Sequence, residues 1–176
     1  MAKRTEILMA GAGGQGLVFL ASVIAQAAMR AGMNVVQTQS YGIAQRGGFI
    51  AAEVVADEDE ILFQQVMNPD IIIVLNEVVG SRYDAATAPV LYDSSLLPAR
   101  EGRDTWHGIP FTRIAEDLGS ARSANMVAVG ALAVFLPFID ARFFEETATK
   151  STAPASPGIT AMRKGMAAAE QLLGKG

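Results

Sequence analysis

The chain contains no cysteine. That absence removes disulfides, thiolate metal sites, cysteine-ligated iron–sulfur clusters and cysteine nucleophiles together. A single histidine, His107, rules out a His-rich metal site, so any proton transfer would rest on that imidazole or on carboxylates. In the setting Asp-Thr-Trp-His-Gly, His107 reads as an ordinary strand or turn residue. No basic cluster accompanies the formal net charge of −4, and the electrostatic footprint of a nucleic-acid binder is missing. No apolar run reaches the ~20 residues of a membrane span. The stretch 124–139 holds Asn125 and Pro137, and the apolar N-terminal stretch is broken by Glu6 and a glycine cluster. Ala25-Gln26-Ala27 imitates a signal-peptide cleavage site, but the region reads better as strand, tight loop and helix of a cytoplasmic protein.

What remains is a chain of 176 residues, 51% hydrophobic and 18% charged, suited to one globular domain over residues 1–176. Residues 5–10 suit a buried strand and Leu17–Arg30 an Ala-rich helix ending before Gly32. Residues 34–38 form a second strand, expected to pair in parallel with the first through a right-handed crossover. A loop over 39–48 leads to a third strand at 49–56, and the acidic turn 57–60 reads as a solvated hairpin end. Residues 70–75, a β-branched run bounded by breakers, are the clearest strand, of the kind covered on both faces. Asn76 is expected to cap a helix to about Ala86, with Glu77 in its first turn. Residues 89–93 make a further strand, 94–102 a loop and 103–107 an edge strand. Helices follow at 111–118, 123–136, 140–147 and 158–173, with a polar connector at 150–157. The expected fold is α/β, a single three-layer domain with a mostly parallel sheet, a Rossmann-like opening and a helical C-terminal third.

Two loops carry the chemistry. Gly11-Ala12-Gly13-Gly14-Gln15-Gly16 fits G-x-G-x-x-G directly after a strand and before a helix, where backbone amides and the helix dipole can receive a phosphate. The same glycines could instead serve only close packing of strand on helix. A dinucleotide fold would also place Asp or Glu at the end of the second strand, and here that end reads Gln37-Thr38-Gln39-Ser40. The second loop, Gln39 to Gly48, combines Tyr41, Arg46 and paired glycines. Leaving the same strand edge, it would supply an anion anchor in Arg46 and a stacking wall in Tyr41, or else be a plain hairpin turn with an exposed arginine. Met162, Met166, Ala167–Ala169 and Phe143-Phe144 fit either a docking surface or plain core.

These motifs in order, Gly-x-Gly-Gly-Gln-Gly, then Thr-Gln-Ser-Tyr-Gly, then Arg-Gly-Gly, resemble the gamma subunit of the 2-oxoacid:ferredoxin oxidoreductases. The resemblance extends through 70–75, Tyr92-Asp93 and the helix beginning Asn-Met-Val-Ala-Val-Gly-Ala-Leu. It implies oxidative decarboxylation of a 2-oxoacid, by preference 2-oxoglutarate, to acyl-CoA with reduction of ferredoxin. It implies alpha and beta partner subunits holding thiamine diphosphate and magnesium, and a ferredoxin-like subunit carrying iron–sulfur clusters. This chain would contact coenzyme A in the complex without being catalytic alone. By position, that role falls on Gly13, Gly14, Gln15, Gly16, Ser40, Tyr41, Gln45, Arg46, Gly47, Gly48 and Asn125. Two departures from the family pattern are Ile43-Ala44-Gln45, where an acidic residue is common, and Asn76-Glu77. The other readings are a free-standing NAD(P)- or nucleotide-binding protein and an adaptor whose loops bind nothing.

Overall fold

The computed structural model describes residues 4–41, 48–151 and 157–174. In chain order the elements are β1 (Thr5–Ala12), α1 (Leu17–Arg30), β2 (Asn34–Tyr41), β3 (Phe49–Asp57), β4 (Ile71–Val74), α2 (Glu77–Gly80), a 3-10 turn (Ser81–Tyr83), β5 (Val90–Asp93), β6 (Trp106–Ile109), α3 (Phe111–Asp117), a second 3-10 turn (Ala121–Ser123), α4 (Ala124–Phe135), α5 (Ala141–Ser151) and α6 (Gly158–Leu172). Among the described residues six strands form one sheet in the order β2-β3-β1-β4-β5-β6. Only β3 runs against the rest, pairing antiparallel with both β1 and β2, while β1, β4, β5 and β6 pair in parallel.

The expected α/β domain with a mostly parallel sheet is present, but β1 and β2 are not a pair. They point the same way with β3 between them. The sequence carries the reason: β3 includes Ala51, Ala52 and the run Val54–Ala56, all buried, which suits a strand flanked on both sides. β2 is rich in Asn, Gln, Thr and Ser and takes the outer edge, where Gln39, Ser40 and Tyr41 are exposed. The acidic residues 57–60 are therefore not a hairpin end. They leave β3 at the sheet border opposite the β2–β3 connection, and Asn34 donates to the Glu58 and Asp59 carbonyls there.

The layers are unequal. One face carries the large core, in which Ile7, Met9, Ile71, Ile73, Leu91 and Ile109 of the sheet meet α1, α3, α4, α5 and α6. Leu20 and Ile24 of α1 are fully buried there, contributing about 1.5–3 kcal/mol each. The other face has a smaller cluster of Ile72, Val74, Val90, Tyr92, Leu97 and Trp106, covered by the loop after β5 and by Tyr83 and Ala86. The helix expected from Asn76 to Ala86 stops at Gly80 and tightens into the 3-10 turn; Gly80 and Ser81 are weak helix formers behind β-branched Val78 and Val79. Its cap forms as expected, Asn76 Oδ1 accepting from the amides of Val78 and Val79. β6 lies at the other edge, as expected, but at Trp106–Ile109 rather than 103–107, because Trp106 and Ile109 supply the buried side chains.

Helices α4 and α6 touch backbone to backbone. A Cβ on Gly130 would stand 1.8 Å from the Met162 carbonyl oxygen, and one on Gly165 would stand 2.0 Å from that of Val127. Phe144, Met162 and Ala169 are buried in this helical layer, and Phe143, Met166 and Ala168 pack against it. Phe144, Met162 and Ala169 are therefore core, whereas Phe143, Met166 and Ala168 are partly exposed and Ala167 is exposed.

Candidate functional site

Ala10 of β1 pairs with Val74 of β4. From β1 the chain turns through α1 toward β2 and β3 on one side, while β4, β5 and β6 extend the sheet on the other. The carboxyl ends of β1 and β4 thus flank the point where strand order reverses, the place at which open α/β sheets hold ligands. A cavity of about 540 Å³ opens there, lined by Gly14, Gln15, Gly16, Leu75, Asp93, Leu96, Phe111, Thr112, Ala121, Arg122, Ala124 and Asn125. That volume lies within the roughly 300–1,000 Å³ usual for small-molecule sites.

Two helix starts converge on the cavity. Gly16 precedes α1 in the left-handed region at φ 74°, and α1 has neither a side-chain cap nor an acidic residue in its first turn. α4 begins the same way, without a side-chain cap or a first-turn acid. The Asn125 carboxamide lies over Gly16, so close that a Cβ on that glycine would be 2.8 Å from Nδ2. The first-turn amides of α1 stay available to an anion, which the helix dipole favours; at α4 the Ala124 amide already donates to the Ala121 carbonyl of the preceding 3-10 turn. Arg122 stands one turn ahead of Asn125 and is exposed. Among the described residues neither side chain has a hydrogen-bond or ion-pair partner.

Asp93, 2% exposed, faces the cavity but is already engaged. It accepts from the Ser95 amide at 3.0 Å and from the amide and hydroxyl of Thr112 at 3.1 and 2.6 Å. Its charge fastens the β5 end to the start of α3. The single histidine lies elsewhere, on β6 with its ring 5.4 Å from that of Phe135, and burial pushes its pKa below the usual imidazole value.

Of the residues expected to form the site, Gly14, Gln15, Gly16 and Asn125 share this cavity. Gly13 is exposed at the tip of the loop and does not line it. Ser40 and Tyr41 belong to β2 rather than to a loop. Tyr41 pairs with Ile50, which pairs with Gly11, so the end of β2 reaches the same sheet edge two strands away, about 10 Å. Tyr41 is 65% exposed and donates its hydroxyl to Gln39. Gly48 sits just before β3 on that edge; Gln45, Arg46 and Gly47, with Ile43 and Ala44, lie outside the described residues. Sequence reasoning missed Asp93, Thr112 and Arg122. The signal was available for Arg122, which stands in the polar lead Ser120-Ala121-Arg122-Ser123 into the very helix that carries Asn125.

Fold and cleft together define an open-sheet α/β domain with an anion-ready crevice at its switch point. The family model for pyruvate ferredoxin/flavodoxin oxidoreductase matches residues 6–171, and the chain belongs to that family. It is 40% identical over 141 residues to a 2-oxoglutarate synthase subunit KorC of Archaeoglobus fulgidus, covering 77% of this chain and 73% of the relative. Among solved structures it resembles the keto/oxoacid ferredoxin oxidoreductase gamma subunit of Geobacter sulfurreducens, with TM-score 0.79 and 27% identity over 95% of this chain and 99% of that one. It also resembles the 2-oxoglutarate:ferredoxin oxidoreductase of Magnetococcus marinus, solved with 2-oxoglutarate, coenzyme A and succinyl-CoA bound, with TM-score 0.81 and 25% identity. There the match covers 96% of this chain but 31% of the other, so this domain corresponds to about a third of a longer polypeptide.

Proposed function

We propose that the chain is the gamma subunit of a 2-oxoacid:ferredoxin oxidoreductase, acting on 2-oxoglutarate, and that its cleft receives the anionic end of coenzyme A. The observation that carries this reading is the meeting of the uncapped start of α1 with Arg122 and the Asn125 carboxamide, both without a partner among the described residues, in one cavity. Amides of a helix start suit a phosphate group, and a guanidinium adds charge-assisted hydrogen bonds. Leu75, Leu96 and Phe111 offer the apolar wall that a long thioester-forming ligand needs.

In this reading the complex converts a 2-oxoacid and coenzyme A to acyl-CoA and carbon dioxide, passing two electrons to ferredoxin. Alpha and beta subunits supply thiamine diphosphate and magnesium, which carry the decarboxylation, and a ferredoxin-like subunit supplies the iron–sulfur clusters. This chain's own residues bind and orient: Gly14 and Gly16 admit the anion to backbone amides, Arg122 and Asn125 fix it, and Tyr41 and Gly48 extend the same edge toward a partner. In this reading the assembly works in the cytoplasm. No helix among the described residues is long and apolar enough to cross a membrane.

A free-standing dinucleotide-binding protein is disfavoured by the sheet. In such folds the strand beside β1 ends in a ribose-binding carboxylate, whereas here that place holds Phe49 at the start of β3. The test is steady-state kinetics of the purified complex with 2-oxoglutarate, coenzyme A and ferredoxin, each omitted in turn. Turnover is expected to require all three, and Arg122→Ala to raise the KM for coenzyme A about tenfold, the scale of one charge-assisted hydrogen bond. An unchanged KM, or reduction of NAD(P) by the isolated chain, would refute the proposal.

A further inference from the structure

The parallel ladder between β1 and β4 ends at Ala10 and Val74, two residues before β1 itself ends. The Leu75 amide donates to the Ala10 carbonyl at 3.0 Å, and Ala10 is paired with Val74. In a parallel ladder the next bond would run from the Ala12 amide to the Leu75 carbonyl. That bond is replaced by a side chain. Gln15 Oε1 accepts from the Ala12 amide at 2.7 Å, and Gln15 Nε2 donates to the Leu75 carbonyl at 2.6 Å.

We infer that Gln15 is a positioning residue: its carboxamide substitutes for the last β1–β4 rung and holds the two strand ends one amide group apart, so that the cleft at the switch point stays open. Both backbone groups remain satisfied, so the widening leaves no buried polar group unpaired. Gly11 is the notch that permits it. A Cβ there would lie 2.6 Å from Gln15 Oε1, while its other neighbours stand at 3.2 and 3.5 Å. The first glycine of the motif therefore makes room for a glutamine, and Gln15 gives one bond from each end of its amide to the protein. The link to coenzyme A rests on the function proposed above; the rung substitution does not.

Two measurements test it. In NMR of the full-length chain, the Ala12 nitrogen is expected to show through-hydrogen-bond coupling to the Gln15 side-chain carbonyl carbon; coupling to the Leu75 carbonyl carbon instead would overturn the inference whatever the chain's function. In the assembled complex, Gln15→Ala and Gly11→Ala are each expected to raise the KM for coenzyme A roughly tenfold and kcat to change less. The double variant is expected to match either single one, since each disables the same device. Effects that multiply in the double variant, or a Gly11→Ala variant with wild-type KM, would refute the shared device. Should Gly11→Ala be insoluble, recovery of soluble protein in Gly11→Ala/Gln15→Ala supports the notch and its failure to recover refutes it. A wild-type complex indifferent to coenzyme A would sink the proposed function while leaving the NMR result standing.

Discussion

Strand β1 is fastened at both ends by a side chain that does the work of backbone, yet the two fastenings differ in charge. At its carboxyl end Gln15 bridges Ala12 and Leu75 with a neutral amide. At its amino end Glu6 accepts from the amides of Met67 and Asn68 at 2.6 and 2.8 Å and pairs with Arg4 at 2.7 Å, while Asp70 accepts from the Glu6 amide. A carboxylate suits the closed end, where segment 58–70 must be tied to the sheet. At the open end it would repel the anion that the start of α1 invites. A neutral clamp fastens without altering the local field, whereas a charged clamp binds more tightly and becomes pH-dependent.

The largest effect is expected from Glu6→Ala, which removes the charged acceptor of the Met67 and Asn68 amides and with it the tie of the 58–70 segment to the sheet. The unfolding free energy should fall by about 2–4 kcal/mol in denaturant titration, and a loss below ~0.5 kcal/mol would erase the contrast between the ends. Gly16→Ala comes next, because it places a Cβ in the left-handed region and against Asn125 Nδ2. It should cost about 1–2 kcal/mol and weaken ligand binding as well, read by thermal melts with and without coenzyme A.

Acid should separate the two clamps. Burial pushes the Glu6 carboxyl up, but hydrogen bonds from Arg4, Asn68 and Met67 outweigh it and hold its pKa below the ordinary 4.5. The sign follows: its contribution is complete above the unfolded value near 4.5 and is lost as pH falls through the lower folded value. Glu6→Gln should flatten that part of the stability profile, and Gln15→Ala should leave its shape unchanged; parallel profiles for wild type and Glu6→Gln would contradict this. The smallest effect belongs to an exposed clamp on the helical side, where Arg163 grips Glu145 with two bonds at 2.9 and 3.1 Å. Arg163→Ala should leave Tm unchanged within error, as solvated pairs contribute little.

Much of this was readable in advance, for local reasons. The bounds of α1 followed from an Ala-rich apolar stretch closed by Gly32, the Asn76 cap from its side-chain chemistry, and β4 from an uninterrupted β-branched run. The glycine motif announced a loop between strand and helix. It did not reveal that Gly11 serves a glutamine, nor that Gly16 serves Asn125 more than a hundred positions away. Asp93 at the end of β5 and Arg122 in the second 3-10 turn escaped because the cleft they line is assembled from elements distant in sequence.

The chain's own order of residues settled which segments become strands and helices, and it removed cysteine chemistry from this polypeptide; periodicity, breakers and caps act within a few positions. Tertiary structure alone decided that β3 enters between β1 and β2, and that Gln15 takes the place of a backbone rung. Strand pairing is a contest among all available edges, and the space left by a missing Cβ has meaning only once another atom occupies it.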